Sequence, residues 1–302
     1  MSENDDDARV TPISGARTPE EIGKFWDNHS LSDYWDETHE VEFELRAKRK
    51  GTVKHPRTKM RIEVVPVSKS DLESVPEAEL AFYIHFGHVR NELLVIEKFL
   101  YWTMKNQTDG DVLSNVNVFQ ELTIIRLLAG KLWEAWLLLD NKAYSKILEA
   151  LRTKVNSKTR TTLEELEAYF NDKKNMIEKI RNRFAFHYDP SFIGKQMSKV
   201  EETDQLAIYL APNAVNCFYQ FSEEIATRAM LNAVQGGDYE EAIRKLSKGV
   251  IDITVKFIGF CDGCLDHMIE TYLLPGAAEF ETRTVELDVL RKDQMTLPFF
   301  VE

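Results

Sequence analysis

Phe82-Tyr83-Ile84-His85-Phe86-Gly87-His88-Val89-Arg90-Asn91-Glu92-Leu93-Leu94-Val95-Ile96-Glu97-Lys98-Phe99-Leu100 sets the architecture of this chain. Phe82, Phe86, Val89, Leu93, Ile96 and Leu100 recur at alternating steps of four and three, which places them on one face of an α-helix. Leu122, Ile125, Leu128, Leu132, Ala135 and Leu139 repeat the pattern in a second helix. A third is read from a capping box, Thr162 with Glu165 three residues on, and runs toward Tyr188 with Ile177, Ile180 and Phe184 on its stripe. A fourth covers about 213–234. Gly236-Gly237 then breaks the chain, and Asp238 with Glu241 caps a last long helix. That helix buries Ile243, Leu246, Val250, Ile253, Phe257, Cys261, Leu265 and Met268 and ends near Pro275-Gly276. Five or more amphipathic helices with short connections make a bundle.

Composition narrows the class. A chain of 302 residues with 43% hydrophobic residues has enough apolar surface for one large domain and an appendage. No run of eighteen apolar residues occurs, and Met1 to Asp7 is acidic rather than a basic-then-apolar leader. The expectation is a cytoplasmic protein with no membrane partner. Three cysteines are too few for a disulfide framework at this length, which suits a reducing compartment. A net charge of −12 argues against an open, non-specific nucleic-acid binder. The charge is uneven, however. Residues 1–45 hold thirteen acids against three Lys/Arg, and residues 46–61 hold eight Lys/Arg and no acid, so a local basic surface remains available.

The first residues read differently from the bundle. Thr18-Pro19-Glu20-Glu21 is a helix start with proline at the first helical position. An aromatic-acidic stretch follows, from Phe25-Trp26-Asp27 to Tyr34-Trp35-Asp36. Val41-Glu42-Phe43-Glu44-Leu45 alternates as a strand, and Met60 to Val65 reads as another. The expected domains are therefore residues 1–65 as an acidic-then-basic module, 75–275 as the helical domain, and 276–302 as a tail. Thr284-Val285-Glu286-Leu287 in that tail is strand-like.

Seven residues carry the chemistry: Arg181-Asn182-Arg183-Phe184-Ala185-Phe186-His187. Cleaving RNA by internal attack needs a base for the 2′-hydroxyl proton, a donor for the charge gathering on the phosphorane, and an acid for the leaving 5′-oxygen. Histidine serves as base or acid near pH 7, and arginine offers phosphate a permanently charged fork. Arg181 and His187 fit those roles, with Asn182 orienting the imidazole or the phosphate. No metal or cofactor is required. On an ideal helix Arg181 and His187 lie about 240° apart, so the helix has to loosen before Pro190 or the long arginine has to reach round. Arg183 shares the face of His187 and supports it or replaces Arg181. A plainer reading fits the same residues. His187 extends the stripe of Ile177, Ile180 and Phe184 as an interior histidine, and the arginines are solvated cations near a helix C-terminus.

Arg181-Asn182 with His187 five residues beyond Asn182 resembles the signature of the HEPN superfamily. The string Ile180 to Asp189 is similar to its abortive-infection branch, as is Leu128-Ala129-Gly130-Lys131-Leu132-Trp133-Glu134-Ala135. The resemblance covers about residues 75–275. It implies an all-α, elongated helical bundle, to which residues 1–65 add a small mixed or irregular N-terminal extension. It also implies a homodimer with two Arg/His sets meeting in one cleft, and metal-independent endoribonuclease activity in toxin–antitoxin or abortive-infection defence. Arg181, Asn182 and His187 are then catalytic, with Arg183 and Tyr188 supporting. A related branch carries a tyrosine two residues after the histidine; Asp189 stands there, so that role is not carried over.

The segment from Thr18 to Phe43 resembles the opening of CopG-type antitoxins, although no pair of short helices follows Val64. It reads as a docking or masking element, an intramolecular inhibitor whose carboxylates cover the Arg/His surface until displaced. A solvated charged arm packed loosely by Trp26 and Trp35 is the plainer reading, and a cognate antitoxin is the alternative inhibitor. Two other functions fit the chain: a non-catalytic interaction or RNA-binding module, and a DNA-binding regulator acting through residues 46–61. Cys261-Asp262-Gly263-Cys264 with His267 and Cys217 has the look of a metal site, but Cys261 lies on an apolar helical stripe, which favours core packing. His85 and His88 share a helix face near Arg90-Asn91 and are read as secondary candidates for lining a cleft.

Overall fold

The computed structural model describes residues 57–106, 108–185, 190–198, 200–202, 204–234, 238–273, 282–291 and 294–301. The chain divides between Lys54 and His55, and every described residue belongs to the second unit. The expected helix at Thr18 and strand at Val41 to Leu45 lie outside the described residues.

The described residues are mostly α-helical. Strand β1 (Arg57–Val64) is followed by α1 (Lys69–Glu73), α2 (Glu77–Thr103), α3 (Asp111–Leu139), α4 (Lys142–Lys154), α5 (Ser157–Phe170) and α6 (Met176–Ile180). A π-helical turn (Arg181–Ala185) continues α6, and α7 (Pro190–Met197), a 3₁₀ turn (Ala214–Asn216), α8 (Gln220–Val234) and α9 (Tyr239–Met268) follow. A second π turn (Ile269–Leu273) and strand β2 (Arg283–Leu290) complete the order.

Helix α3 is the axis of the bundle. It packs against α2, α4, α6, the first π turn, α8 and α9. Its buried positions include Leu122, Ile124, Ile125, Leu128, Ala129, Leu132, Ala135, Trp136 and Leu139, more than one stripe holds, as expected of a helix surrounded by others. Helix α2 buries Phe82, Phe86, Leu93 and Leu100 from the expected face. Helix α9 starts where the sequence pointed: Asp238 caps it by accepting from the Glu241 amide at 3.0 Å. Its Leu246, Val250, Ile253, Phe257 and Cys261 are buried, with Ile243, Leu265 and Met268 packed at the margin.

The third expected helix is corrected. It begins at Asn156, whose Oδ1 accepts from the Thr159 amide at 2.9 Å. Thr162 lies inside α5 and donates back to the Lys158 carbonyl. The Thr162/Glu165 pair has capping spacing, but Asn156 reaches the free amides six residues earlier. The helix then breaks at Asn171, and α6 restarts at a second cap, Asn175 to the Glu178 amide at 2.8 Å. Helix α4 was not anticipated, although its buried Tyr144, Leu148 and Leu151 recur at steps of four and three on one face. The helix expected from residue 213 begins at Gln220, because Asn213 caps the short 3₁₀ turn instead.

β1 and β2 form an antiparallel ribbon in which Met60 faces Leu287 and Arg61 faces Glu286. Both strand-like segments seen in the sequence at Met60 to Val65 and Thr284 to Leu287 therefore belong to one sheet. The ribbon joins the end of the 1–65 segment to the tail by backbone hydrogen bonds. Residues 57–64 thus pair within the chain.

Candidate functional site

Arg181 owes its position to a short, rigid lead-in. Asn175 is 4% exposed and donates to the Phe170 and Asp172 carbonyls at 3.2 and 2.9 Å while capping α6. Ile177 and Ile180 are fully buried, so α6 is pinned on its inner face. At Arg181 the hydrogen-bonding pattern widens to a π turn that runs to Ala185, with Phe184 buried as its anchor. Such turns carry an extra residue per loop of helix and recur at functional sites. The helix thus widens at Arg181–Ala185, while the residues just before Pro190, where the Arg181/His187 spacing called for loosening, lie outside the described residues.

The Arg181 guanidinium meets α3. Its Nε and Nη2 donate to Glu134 Oε1 at 2.9 and 2.7 Å, and its Nη1 donates to Asn182 Oδ1 at 3.0 Å. The arginine side chain is 25% exposed and the glutamate 47%, so the pair sits at the surface with its inner edge against the bundle. Both stretches that carry the family resemblance thus meet, Glu134 from one and Arg181 from the other. Arg183 is half-buried on the same turn, and Asn182 is exposed. His187 and Tyr188, the proton-transfer and supporting residues of the sequence reading, lie outside the described residues.

One turn back along α3 the charges continue. Lys131 donates to Glu92 of α2 at 2.7 Å, and the other Glu92 oxygen lies 3.6 Å from His88 Nε2. Lys131 and Glu134 are three apart and share a face. His88, Glu92, Lys131, Glu134, Arg181 and Asn182 therefore come from three successive packed elements. His85 is turned elsewhere, its Nδ1 paired with the Tyr144 hydroxyl at 2.5 Å, and Arg90 pairs with Asp262 of α9. Of the secondary candidates only His88 joins this row. Glu134 is the residue that sequence reasoning did not assign; no local spacing marks a glutamate 47 positions before its arginine.

The cysteine group is core. Cys261 and Cys264 are fully buried, and burial pushes both thiols up, Cys264 to about 12. His267 Nδ1 pairs with the Thr271 hydroxyl at 3.2 Å, and Cys217 pairs with the backbone of Ala211. Among the described residues no group of three or more His, Cys, Asp and Glu stands in metal-binding proximity. Trp136 stacks on Phe170 at 4.9 Å, and Trp133 leans on the same ring at 6.1 Å, both as packing.

Among the described residues no helix is long and apolar enough to cross a membrane. No family model, no curated protein and no solved structure matches the chain.

Proposed function

We propose that this chain is a metal-independent endoribonuclease of the HEPN type, acting in the cytoplasm in a toxin–antitoxin or phage-defence system. The observation that supports it is the Arg181 guanidinium, oriented by Glu134 and Asn182 on the widened turn that leads toward His187. Orientation matters because a donor helps catalysis only when it is aimed before charge develops.

In this reading two copies of the chain form the working unit and bring two Arg/His sets to one phosphodiester. One His187 takes the proton of the 2′-hydroxyl as that oxygen attacks phosphorus. Arg181 stabilises the charge on the non-bridging oxygens, with Asn182 positioning the phosphate and Arg183 and Tyr188 supporting. The bond to the 5′-oxygen breaks, and the second His187 protonates it. The products are a 2′,3′-cyclic phosphate and a 5′-hydroxyl. A cognate antitoxin or the chain's own N-terminal acidic segment is the inhibitor.

The same ion pair favours one other reading, a non-catalytic interaction or RNA-binding module. A guanidinium already occupied by a carboxylate presents less net charge to phosphate. Purified protein and its His187→Ala and Arg181→Ala variants, incubated with a defined transcript in EDTA, separate the two. Cleavage to cyclic-phosphate ends by the native chain, and by neither variant, is the expected result. Intact transcript with all three leaves the binding module. Equal cleavage by all three removes both residues from the chemistry.

A further inference from the structure

The second candidate site lies toward the start of α3, where residues 297–301 cross the bundle with a bend at Phe299. Two asparagines hold them. Asn106, just beyond the end of α2, donates from Nδ2 to the Leu297 carbonyl at 2.7 Å and accepts from the Leu297 amide at 3.1 Å. Asn216, in the 3₁₀ turn, does the same to Val301, donating at 2.6 Å and accepting at 2.9 Å. A carboxamide that serves both the N–H and the C=O of one residue copies the pairing of a neighbouring β-strand. The two carboxamides read the backbone at two positions four residues apart, whatever the side chains. Asn106 is itself braced by Asn117, which is 4% exposed and accepts from Asn106 Nδ2 at 3.1 Å.

Side-chain selection comes from between and beside the clamps. Leu297 packs on the main core. The Phe299 ring meets Phe218 edge-on at 5.3 Å, and Phe218 in turn leans on Phe119 of α3 and on Tyr209. Pro298 has no N–H to leave unpaired, and its fixed φ favours an extended course. This division, backbone bonds for affinity and pockets for selectivity, is how grooves take extended peptides.

The occupant is lightly seated. Thr296, Pro298 and Val301 are exposed, and a solvent-open pocket of about 310 Å³ lies among Asn106, Leu113, Asn117, Pro298, Phe299 and Phe300. No helix has to unwind for the segment to leave.

We propose that this cleft is a peptide-recognition site for bent segments of the Leu-Pro-Phe-Phe-Val type, occupied in cis by residues 297–301 and open in trans to such a segment of a partner protein. The proposal is independent of the ribonuclease reading. A tethered occupant competes at an effective concentration on the order of millimolar, so a partner segment binds the native chain weakly until the strap is displaced.

The test uses the full chain and a fluorescein-labelled peptide of the sequence of residues 294–301. A chain carrying Leu297→Ser and Phe299→Ala, which weakens the strap and leaves the cleft intact, binds the peptide at least about ten-fold tighter than the native chain. Adding Asn216→Ala to that background removes most of the gain. No gain from the weakened strap, or no loss from Asn216→Ala, overturns the proposal. The unmodified chain gives a second measurement, amide hydrogen exchange. The Leu297 and Val301 amides exchange far faster than those of α2 and α3. Exchange of these two amides only through global unfolding overturns the displaceable strap. A native dimer that the peptide dissociates also overturns it, by giving the cleft to the exchanged tail of a second copy.

Discussion

Removing the Glu134 carboxylate while leaving its shape, as Glu134→Gln, isolates what the ion pair does for Arg181. Both short contacts from the guanidinium end on one oxygen, Glu134 Oε1, at 2.9 and 2.7 Å, so the pair is a fork onto a single acceptor. At 25% and 47% exposure the pair is largely screened by water. Surface pairs are worth about 0.2–1 kcal/mol, and a good charge-assisted hydrogen bond somewhat more. A double-mutant cycle with Glu134→Gln and Arg181→Met should therefore return a coupling of about 0.5–1 kcal/mol in urea unfolding. In a domain of this size that corresponds to a melting shift of only a few degrees. The same Glu134→Gln chain should bind a non-cleavable RNA about two- to five-fold tighter, because the competitor for the guanidinium has lost its charge. Turnover should fall, because the guanidinium is no longer held in one orientation. A coupling indistinguishable from zero, with unchanged RNA affinity, would refute the claim that Glu134 holds Arg181 in solution.

Three further outcomes follow from the packing. A methyl group at Gly263 overlaps Thr159 Oγ1 and lies within contact of its Cβ at 2.8 Å, so Gly263→Ala should destabilise by about 1–3 kcal/mol; Gly259→Ala on the same helix meets nothing within 4 Å and should stabilise by about 0.5–1 kcal/mol, with urea midpoints checking the opposite signs. His267 is held below its ordinary 6.5 by burial and then by Lys154, and its Nε2 is buried without a partner, so the unfolded chain takes up the proton more readily. Its contribution to stability is complete above pH 6.5 and is lost as pH falls below that value, a decline that His267→Gln should flatten in pH-dependent melting curves. Deleting residues 1–54, which spares β1, should raise RNA cleavage and cell toxicity if the acidic segment is an inhibitor; unchanged activity would remove that role.

The long helices were legible because their information is local. The four-and-three spacing of Phe82 to Leu100 and the Asp238/Glu241 cap each lie within a few turns of one helix, and periodicity alone reveals which face is buried. The same kind of local reading misplaced the start of α5. Thr162/Glu165 and Asn156 are both acceptable caps in isolation, and Thr159, buried against α9 at Gly263, requires helix one turn earlier. Helix α4 carries the same local signal in Tyr144, Leu148 and Leu151, at steps of four and three, but its stripe is only about two turns long and was not anticipated.

Local spacing along the chain was enough to specify a helical protein, its two central stripes and the cap of the last helix. Which groups those residues meet was settled by packing. Glu134 reaches Arg181 across 47 positions, Lys59 reaches Glu286 across 227, and Asn106 reaches Leu297 across 191. No spacing rule spans such separations, because chain packing rather than helical periodicity brings those groups within hydrogen-bond distance.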